Sequence, residues 1–498
     1  MNNEQIELLW TNLKKQDNKV IIPLTKFHGY QQTTDKGTIL ALFNEAGHPI
    51  EQIINGIGFV AFDHTVFYAL GGGQISDTAI LMKDTHTISV FDLNKQIYKK
   101  VYLHLVDTQG TTIKLNDTLE QKIDQERRIK LTKNHTAQHL LSYIIEQILN
   151  DGEMTYSVQI KTDYALLAMN KVYNWLDIIL TAREKIINDL IKHDIAKIEH
   201  QMPIAEAIKL KIAHPNFEYD PIVRVVEFPT ATIDLCGGTH VNNLQEIDFF
   251  EIWDCWVDKK KVRIQFSTNK ATTQAYFTNW INQKRTALEQ SVKKISGYDP
   301  TFTFIIPNFS VPTTLIEKNN LNLNIEKLEK DLNETAKVKY KQLLQIIEET
   351  TFPFKTIPIN DNLTVQEIII NDEKITLELV RNKLNKYLQE HQNTLIIFVN
   401  TRLKYGFISF TKKNQTEFNL NNFLQTNKEQ FKVTGGGTPF FISFTYQNEI
   451  NLFLEQLLTT LKNKKTKKVF LFYLVRKLGA AIIKIVLIQF KPLWAIIL

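Results

Sequence analysis

Between residues 20 and 120 the apolar positions come in short runs broken by turns: Lys19-Val-Ile-Ile-Pro-Leu, Gly37-Thr-Ile-Leu-Ala-Leu-Phe and Gly58-Phe-Val-Ala-Phe. Strands this short and this closely spaced predict a small β-barrel. From 119 to 150 the spacing becomes helical, with Leu140, Leu141, Tyr143, Ile144, Ile145 and Ile148 on one broad apolar face. Residues 180 to 212 read as helical again. Residues 222 to 267 return to strands, with a turn at Gly237-Gly238. Residues 319 to 349 form a long amphipathic helix on Leu321, Ile325, Leu328, Leu332, Ala336, Leu343 and Ile347. It follows a boundary near Pro307 and Pro312, and either packs on its own domain or extends as an arm. Residues 366 to 460 mix helix and strand, with a Gly435-Gly436-Gly437 loop before Pro439.

The expected class is therefore α+β. A small β-barrel (1–120) precedes an α+β domain (121–275), a helical connector (276–350) and an α/β C-terminal domain (351–465). A basic and apolar tail (466–498) follows the lysines between Lys462 and Lys468. Its apolar runs are interrupted by Arg476, Lys477, Lys484 and Lys491, so no charge-free run reaches a membrane span. The tail reads as an interfacial helix or as a non-native, frame-shifted end.

The length of 498 residues accommodates several domains. A net charge of +6 permits a polyanionic partner without demanding one. Two cysteines, Cys236 and Cys255, exclude a disulfide scaffold and fit a reducing, cytoplasmic setting. The N-terminus lacks the apolar core of a signal peptide.

The chemistry concentrates in two motifs. In Asn134-His135-Thr136-Ala137-Gln138-His139 the histidines lie one helical turn apart on the same face. In Asp234-Leu235-Cys236-Gly237-Gly238-Thr239-His240 a thiol and an imidazole flank a glycine turn. Either alone says little. Together they offer one cysteine and three histidines, a zinc-type donor set. Thr136 stands where a His-Glu-x-x-His metalloprotease has its glutamate. The long stretch between His139 and Cys236 excludes a compact zinc finger.

With Val223-Arg224-Val225-Val226 ahead of Cys236, the paired motifs resemble the editing domain of alanyl-tRNA synthetase and its free-standing relatives. Thr65-Val-Phe-Tyr-Ala-Leu-Gly-Gly-Gly-Gln-Ile-Ser-Asp77 resembles that family's barrel segment, and Gly435 to Pro439 resembles its C-terminal glycine loop. The likeness spans roughly residues 20 to 460. It implies zinc on His135, His139, Cys236 and His240, and hydrolysis of Ser- or Gly-tRNA for alanine. Thr65 and Gln74 become the candidate catalytic residues that read the serine hydroxyl. Gly72, Gly73, Asp77 and Arg128 become substrate-binding candidates, with Arg127, Lys130 and Lys133 near acceptor-end phosphates. It also implies tRNA for alanine as partner and a possible homodimer through the C-terminal domain. The family's class II aminoacylation domain is not found in the chain, so amino-acid activation is not expected. A truncated ligase working with a separate aminoacylation subunit, and a non-catalytic tRNA-binding module with structural zinc, stay open. Departures include Leu70-Gly71 for the family's Glu-Ser, Asp248 for a glycine, and Phe440-Phe441 near a missing Ala-Gln. Leu70 removes a carboxylate near the expected pocket, which bears on rate and substrate range.

Overall fold

The computed structural model describes residues 1–463 apart from 17–19, 99, 151–155, 170–174, 214–218, 300, 362, 373–374, 376, 392, 411–417 and 448–449. The tail read at 466–498 lies outside them. The chain divides into two compact units, residues 1–284 with 308–325, and residues 285–307 with 326 onward.

The first unit opens with helix Asn3–Lys15, capped by the side chain of Asn2. Its Leu9, Trp10 and Leu13 pack on Phe43, Phe59 and Leu103. Six antiparallel strands form the barrel: Thr34–Asn44, Ile57–Phe62, Ala79–Lys83, His86–Asn94, Leu103–Asp107 and Thr118–Ile123. It closes because Thr118–Ile123 pairs with both Thr34–Asn44 and Ala79–Lys83, which leaves no free edge. The barrel predicted for this region is thus present, but its last strand occupies positions read as helical. Leu119, Gln121 and Ile123 alternate inward with period two. Asp124 then accepts from Arg127 N, and the helix runs Gln125–Leu149.

That helix packs on a four-stranded antiparallel sheet of Tyr156–Ile160, Ala165–Met169, Lys261–Ser267 and Glu251–Asp258. Leu140, Leu141 and Ile145 are fully buried against Leu167, Ile252 and Phe266, each contributing about 1.5–3 kcal/mol. A three-stranded antiparallel sheet of Ile198–Pro203, Ile222–Phe228 and Thr232–Leu235 follows. The helical reading of 180–212 holds from 180 to Leu190, through the end of Trp175–Lys185 and the helical turn Ile186–Leu190, and again at Ile204–Lys209. Ile198–Pro203 is drawn into strand by its register with Ile222–Phe228, a long-range pairing that local spacing does not carry.

The second unit holds a six-stranded sheet ordered Lys355–Asn360, Leu363–Ile370, Thr394–Asn400, Tyr405–Phe410, Phe441–Tyr446, Val433–Thr438. Its one parallel pair, Leu363–Ile370 with Thr394–Asn400, is joined through helix Leu377–Glu390, as a parallel crossover requires. Gly435, Gly436 and Gly437 lie in the edge strand Val433–Thr438, not in a loop. A Cβ on Gly435 would overlap Ser443 O of the neighbouring strand, so glycine permits the close pairing. The expected connector is two helices, Lys270–Tyr298 and Leu315–Glu349, and the division between units falls within both.

Candidate metal centre

Helix Gln125–Leu149 carries His135 and His139 one turn apart, with rings stacked 5.2 Å between centroids. Strand Thr232–Leu235 delivers the turn from Cys236 to His240 against that face. A Cβ on Gly238 would overlap the His135 ring, so this approach needs glycine. Arg224 clamps the turn, donating to Cys236 O at 2.8 Å and Gly238 O at 3.0 Å. Its guanidinium also pairs with Glu199 at 2.8 Å and lies 3.8 Å over the Tyr30 ring. Tyr30 itself donates to Gly237 O at 2.8 Å.

The ligand atoms of His135, His139, Cys236 and His240 all lie within 4.8 Å of one another. Cys236 Sγ is 3.4 Å from His135 Nε2 and 3.2 Å from His240 Nε2. Each imidazole is oriented from behind. His135 Nδ1 donates to Gln74 Oε1 at 2.6 Å, and Gln74 is fixed by Thr239 N at 3.2 Å and Thr239 Oγ1 at 3.0 Å. His139 Nδ1 meets Asp234 Oδ2 at 2.6 Å, which also accepts from Thr232 Oγ1 at 2.6 Å. Thr136 Oγ1 donates to Thr132 O at 3.0 Å and so accepts from His240 Nδ1 at 3.2 Å. With Nδ1 occupied three times over, Nε2 is the free ligand nitrogen of each ring, the outer-shell arrangement of metal-binding histidines.

The electrostatics agree. Burial alone would raise the Cys236 thiol, but His135, His139 and His240 outweigh it and hold the thiol well below its usual range. Burial would lower His139, yet Asp234 and Cys236 push it up to about 10. Burial drives His240 down to about 3. The thiolate fits zinc, and binding the ion requires His139 to release the Nε2 proton that Asp234 and Cys236 favour in its absence.

His135, His139 and Cys236 line a cavity of about 1140 Å³, whose wall also includes Gln138, Ser142, Glu146, Asp234, Gly72, Ile208 and Leu235. Positions 135, 138, 139, 142 and 146 form one helical stripe of polar residues. That stripe is visible in the sequence as a spacing of three and four from His135, and Asp234 stands two residues before Cys236.

The other expected site residues are placed as follows. Gln74 reaches the cluster through His135 but does not line the cavity. Thr65 is buried in the barrel, its hydroxyl 2.9 Å from His104 Nε2. Gly72 lines the cavity with φ +57°. Gly73 has φ +79° and no room for a Cβ beside Val158, and its carbonyl accepts from Ile160 N at 2.7 Å. Asp77 and Arg128 are paired with each other, at 2.5 Å, inside the protein. Arg128 also donates to Gly29 O at 2.6 Å and Val66 O at 2.9 Å. Its guanidinium is thus turned inward, where it pins the histidine helix to the barrel. Arg127 donates to Ser76 O at 2.9 Å, Lys130 pairs with Glu126 at 2.6 Å and Lys133 with Asp248 at 2.8 Å. Among the described residues no helix is long and apolar enough to cross a membrane.

Comparison with known proteins adds the following. Residues 1–127 match the family model described as tRNA synthetases class II (A). Residues 223–265 match that of the threonyl and alanyl tRNA synthetase second additional domain. An alanine–tRNA ligase of Mycoplasma mycoides is 26% identical over 437 residues, 83% of this chain and 47% of that protein. One from Colwellia psychrerythraea is 32% identical over 273 residues, 53% of this chain and 30% of that protein. One from Mycoplasma mobile is 26% identical over 459 residues, 89% of this chain and 47% of that protein. The chain spans about half the length of the curated relatives it matches most fully. Among solved structures, the C-Ala domain of Aquifex aeolicus alanyl-tRNA synthetase aligns with 22% of this chain and 98% of its own, at 14% identity and TM-score 0.20.

Proposed function

This chain is related to the alanine–tRNA ligases, and on that premise we propose that it hydrolyses mischarged aminoacyl-tRNA, Ser- or Gly-tRNA for alanine, at a zinc site of His135, His139, Cys236 and His240. The observation that carries the reading is that three of these side chains form the wall of a large, partly polar cavity. Four protein ligands complete the tetrahedron of a structural zinc, so a catalytic ion needs one ligand to leave or its shell to expand toward that cavity. When bound, the ion supplies a Lewis acid at that wall.

The chain's own residues do the rest. A ligase pocket for alanine cannot strongly reject glycine or serine, because one methyl or hydroxyl is worth only a few kcal/mol, and a second hydrolytic site is the remedy. Here Gln138 donates to Ser142 Oγ at 2.8 Å, and both line the cavity. They are the side chains best placed to hydrogen-bond a serine hydroxyl. Gln74 and Asp234 act as positioning residues, holding His135 and His139. Thr65, hydrogen-bonded to His104 within the barrel, is not among the residues lining the cavity and takes no part in this reading. The Gly71–Gly73 turn keeps side chains out of the cavity rim at Gly72. Hydrolysis forms a bond from water oxygen to the acyl carbon, breaks the bond to the ribose oxygen, and leaves that oxygen protonated.

A second reading starts from the likeness to alanine–tRNA ligases alone: a ligase part whose editing serves a separate aminoacylation subunit. Both readings place the work in the cytoplasm. The test is deacylation of seryl-tRNA for alanine by chelator-treated chain before and after zinc is restored. Activity that returns with zinc, and does not return in Cys236→Ala, is expected. Full activity without metal would refute the zinc-dependent reading.

A further inference from the structure

His28, Asp35 and His64 form a second group of metal-ligating side chains, sharing no residue with the Cys236 cluster. The short parallel pairing of Lys26–Phe27 with His64–Thr65 brings His28 beside His64, with rings stacked 4.8 Å apart. Asp35, on barrel strand Thr34–Asn44, completes the group. Its Oδ2 lies 2.7 Å from His28 Nδ1 and 3.5 Å from His64 Nε2.

The second oxygen of Asp35 and the second nitrogen of His64 are already engaged. Asp35 Oδ1 accepts from Lys36 N at 2.8 Å. His64 Nδ1 is 3.0 Å from Asp63 Oδ1, and Asp63 is fixed in turn by the Thr38 and His64 amides, both at 2.8 Å. A plain surface ion pair would be complete with His28 and Asp35. It needs neither a second imidazole converging on the same oxygen nor a carboxylate orienting that imidazole. Two histidines and one carboxylate, backed by an outer carboxylate, are the donors of an open zinc-type or related transition-metal site. The side chains are 21–39% exposed, so an ion and its waters can reach them.

We propose that His28 Nδ1, Asp35 Oδ2 and His64 Nε2 bind a second divalent ion of the zinc, cobalt or nickel class, with Asp63 positioning His64 and water filling the remaining positions. Binding replaces the proton shared by His28 and Asp35, which leaves to solvent. The ion would brace the loop that carries Gly29, whose carbonyl accepts from Arg128, and Tyr30, which reaches Gly237 O at the first cluster. The proposal does not rest on the hydrolytic reading.

The test is titration of the chelator-stripped full chain with cobalt(II), read by equilibrium dialysis and electronic absorption. Two equivalents are expected. One shows thiolate-to-cobalt charge transfer from Cys236; the other shows only weak d–d bands. Cys236→Ala should abolish the charge transfer and keep the other equivalent. His64→Ala and Asp35→Asn should keep the charge transfer and weaken the other equivalent at least about 100-fold, and Asp63→Asn should weaken it about 10- to 100-fold. A persisting charge-transfer band shows that these half-exposed variants remain folded. Saturation of the unmodified chain at the charge-transfer equivalent alone, or a second equivalent that persists in either His64→Ala or Asp35→Asn, overturns the proposal. The band reports the Cys236 site separately, so failure of one site is distinguishable from failure of the other.

Discussion

The buried Asp77–Arg128 pair is the sharpest place to separate a scaffold role from a phosphate contact. Asp77 is fully buried and the Arg128 side chain is 10% exposed. Asp77→Ala would leave the guanidinium with only two carbonyl acceptors, Gly29 O and Val66 O, and would strip Tyr68 N of the acceptor it meets at 2.7 Å. Breaking a buried pair costs about 3–5 kcal/mol, and orphaning a buried amide about 1 kcal/mol more. At about 1.4 kcal/mol per factor of ten, hydrogen-exchange protection of barrel strands Ile57–Phe62 and Thr118–Ile123 should fall by about 10³- to 10⁴-fold. Hydrogen exchange is the assay because two compact units need not unfold in one transition. Combining Asp77→Ala with Arg128→Met removes both charges and should recover about 2–3 kcal/mol of the loss. Were Arg128 instead a phosphate contact, Arg128→Met would leave protection intact and lower the salt slope of tRNA binding by about one. That pair of results would refute the reasoning.

Other predictions follow from the same geometry. Gly238→Ala should displace the His135 ring and abolish stoichiometric zinc, measured by metal analysis of the folded variant. Gln74→Ala and Asp234→Asn should each retain zinc but weaken it about 10- to 100-fold, read by chelator competition. His104 is held down to about 4 by burial, while the unfolded chain titrates near 6.5. Its neutral form therefore contributes stability that is present above about pH 6.5 and lost as pH falls toward 4, roughly 3 kcal/mol in all. Hydrogen-exchange protection of strand Leu103–Asp107 across that window should lose this pH dependence in His104→Phe, whose ring would sit between Phe62 and Phe67.

The ligand set was legible because its signals are local: a histidine pair one helical turn apart, and a cysteine and histidine flanking glycines. The barrel was legible from strand length and spacing. What was not legible depends on tertiary pairing. Thr118–Ile123 reads as a lead into the helix until barrel closure requires its alternation. Gly435 to Gly437 reads as a loop until Ser443 and Phe444 lie against it. Arg128, one of several basic residues before His135, looks like a phosphate ligand, and only the buried carboxylate of Asp77 shows where it points. Gln74 reads as a hydroxyl contact from its motif, but its oxygen is taken by His135, whose proximity no spacing encodes. Gln138 and Ser142 were within reach, since they fall on the histidine face at intervals of three and four.

The most direct measurement is the ratio of initial deacylation rates on seryl-tRNA and alanyl-tRNA for alanine, taken on zinc-loaded protein of verified fold. A site that hydrogen-bonds the serine hydroxyl should favour seryl-tRNA, by up to roughly 10⁴-fold and by less if Leu70 and Gly71 weaken the pocket. Equal rates on the two, or no hydrolysis of either, would contradict the editing assignment and leave a tRNA-binding module in its place.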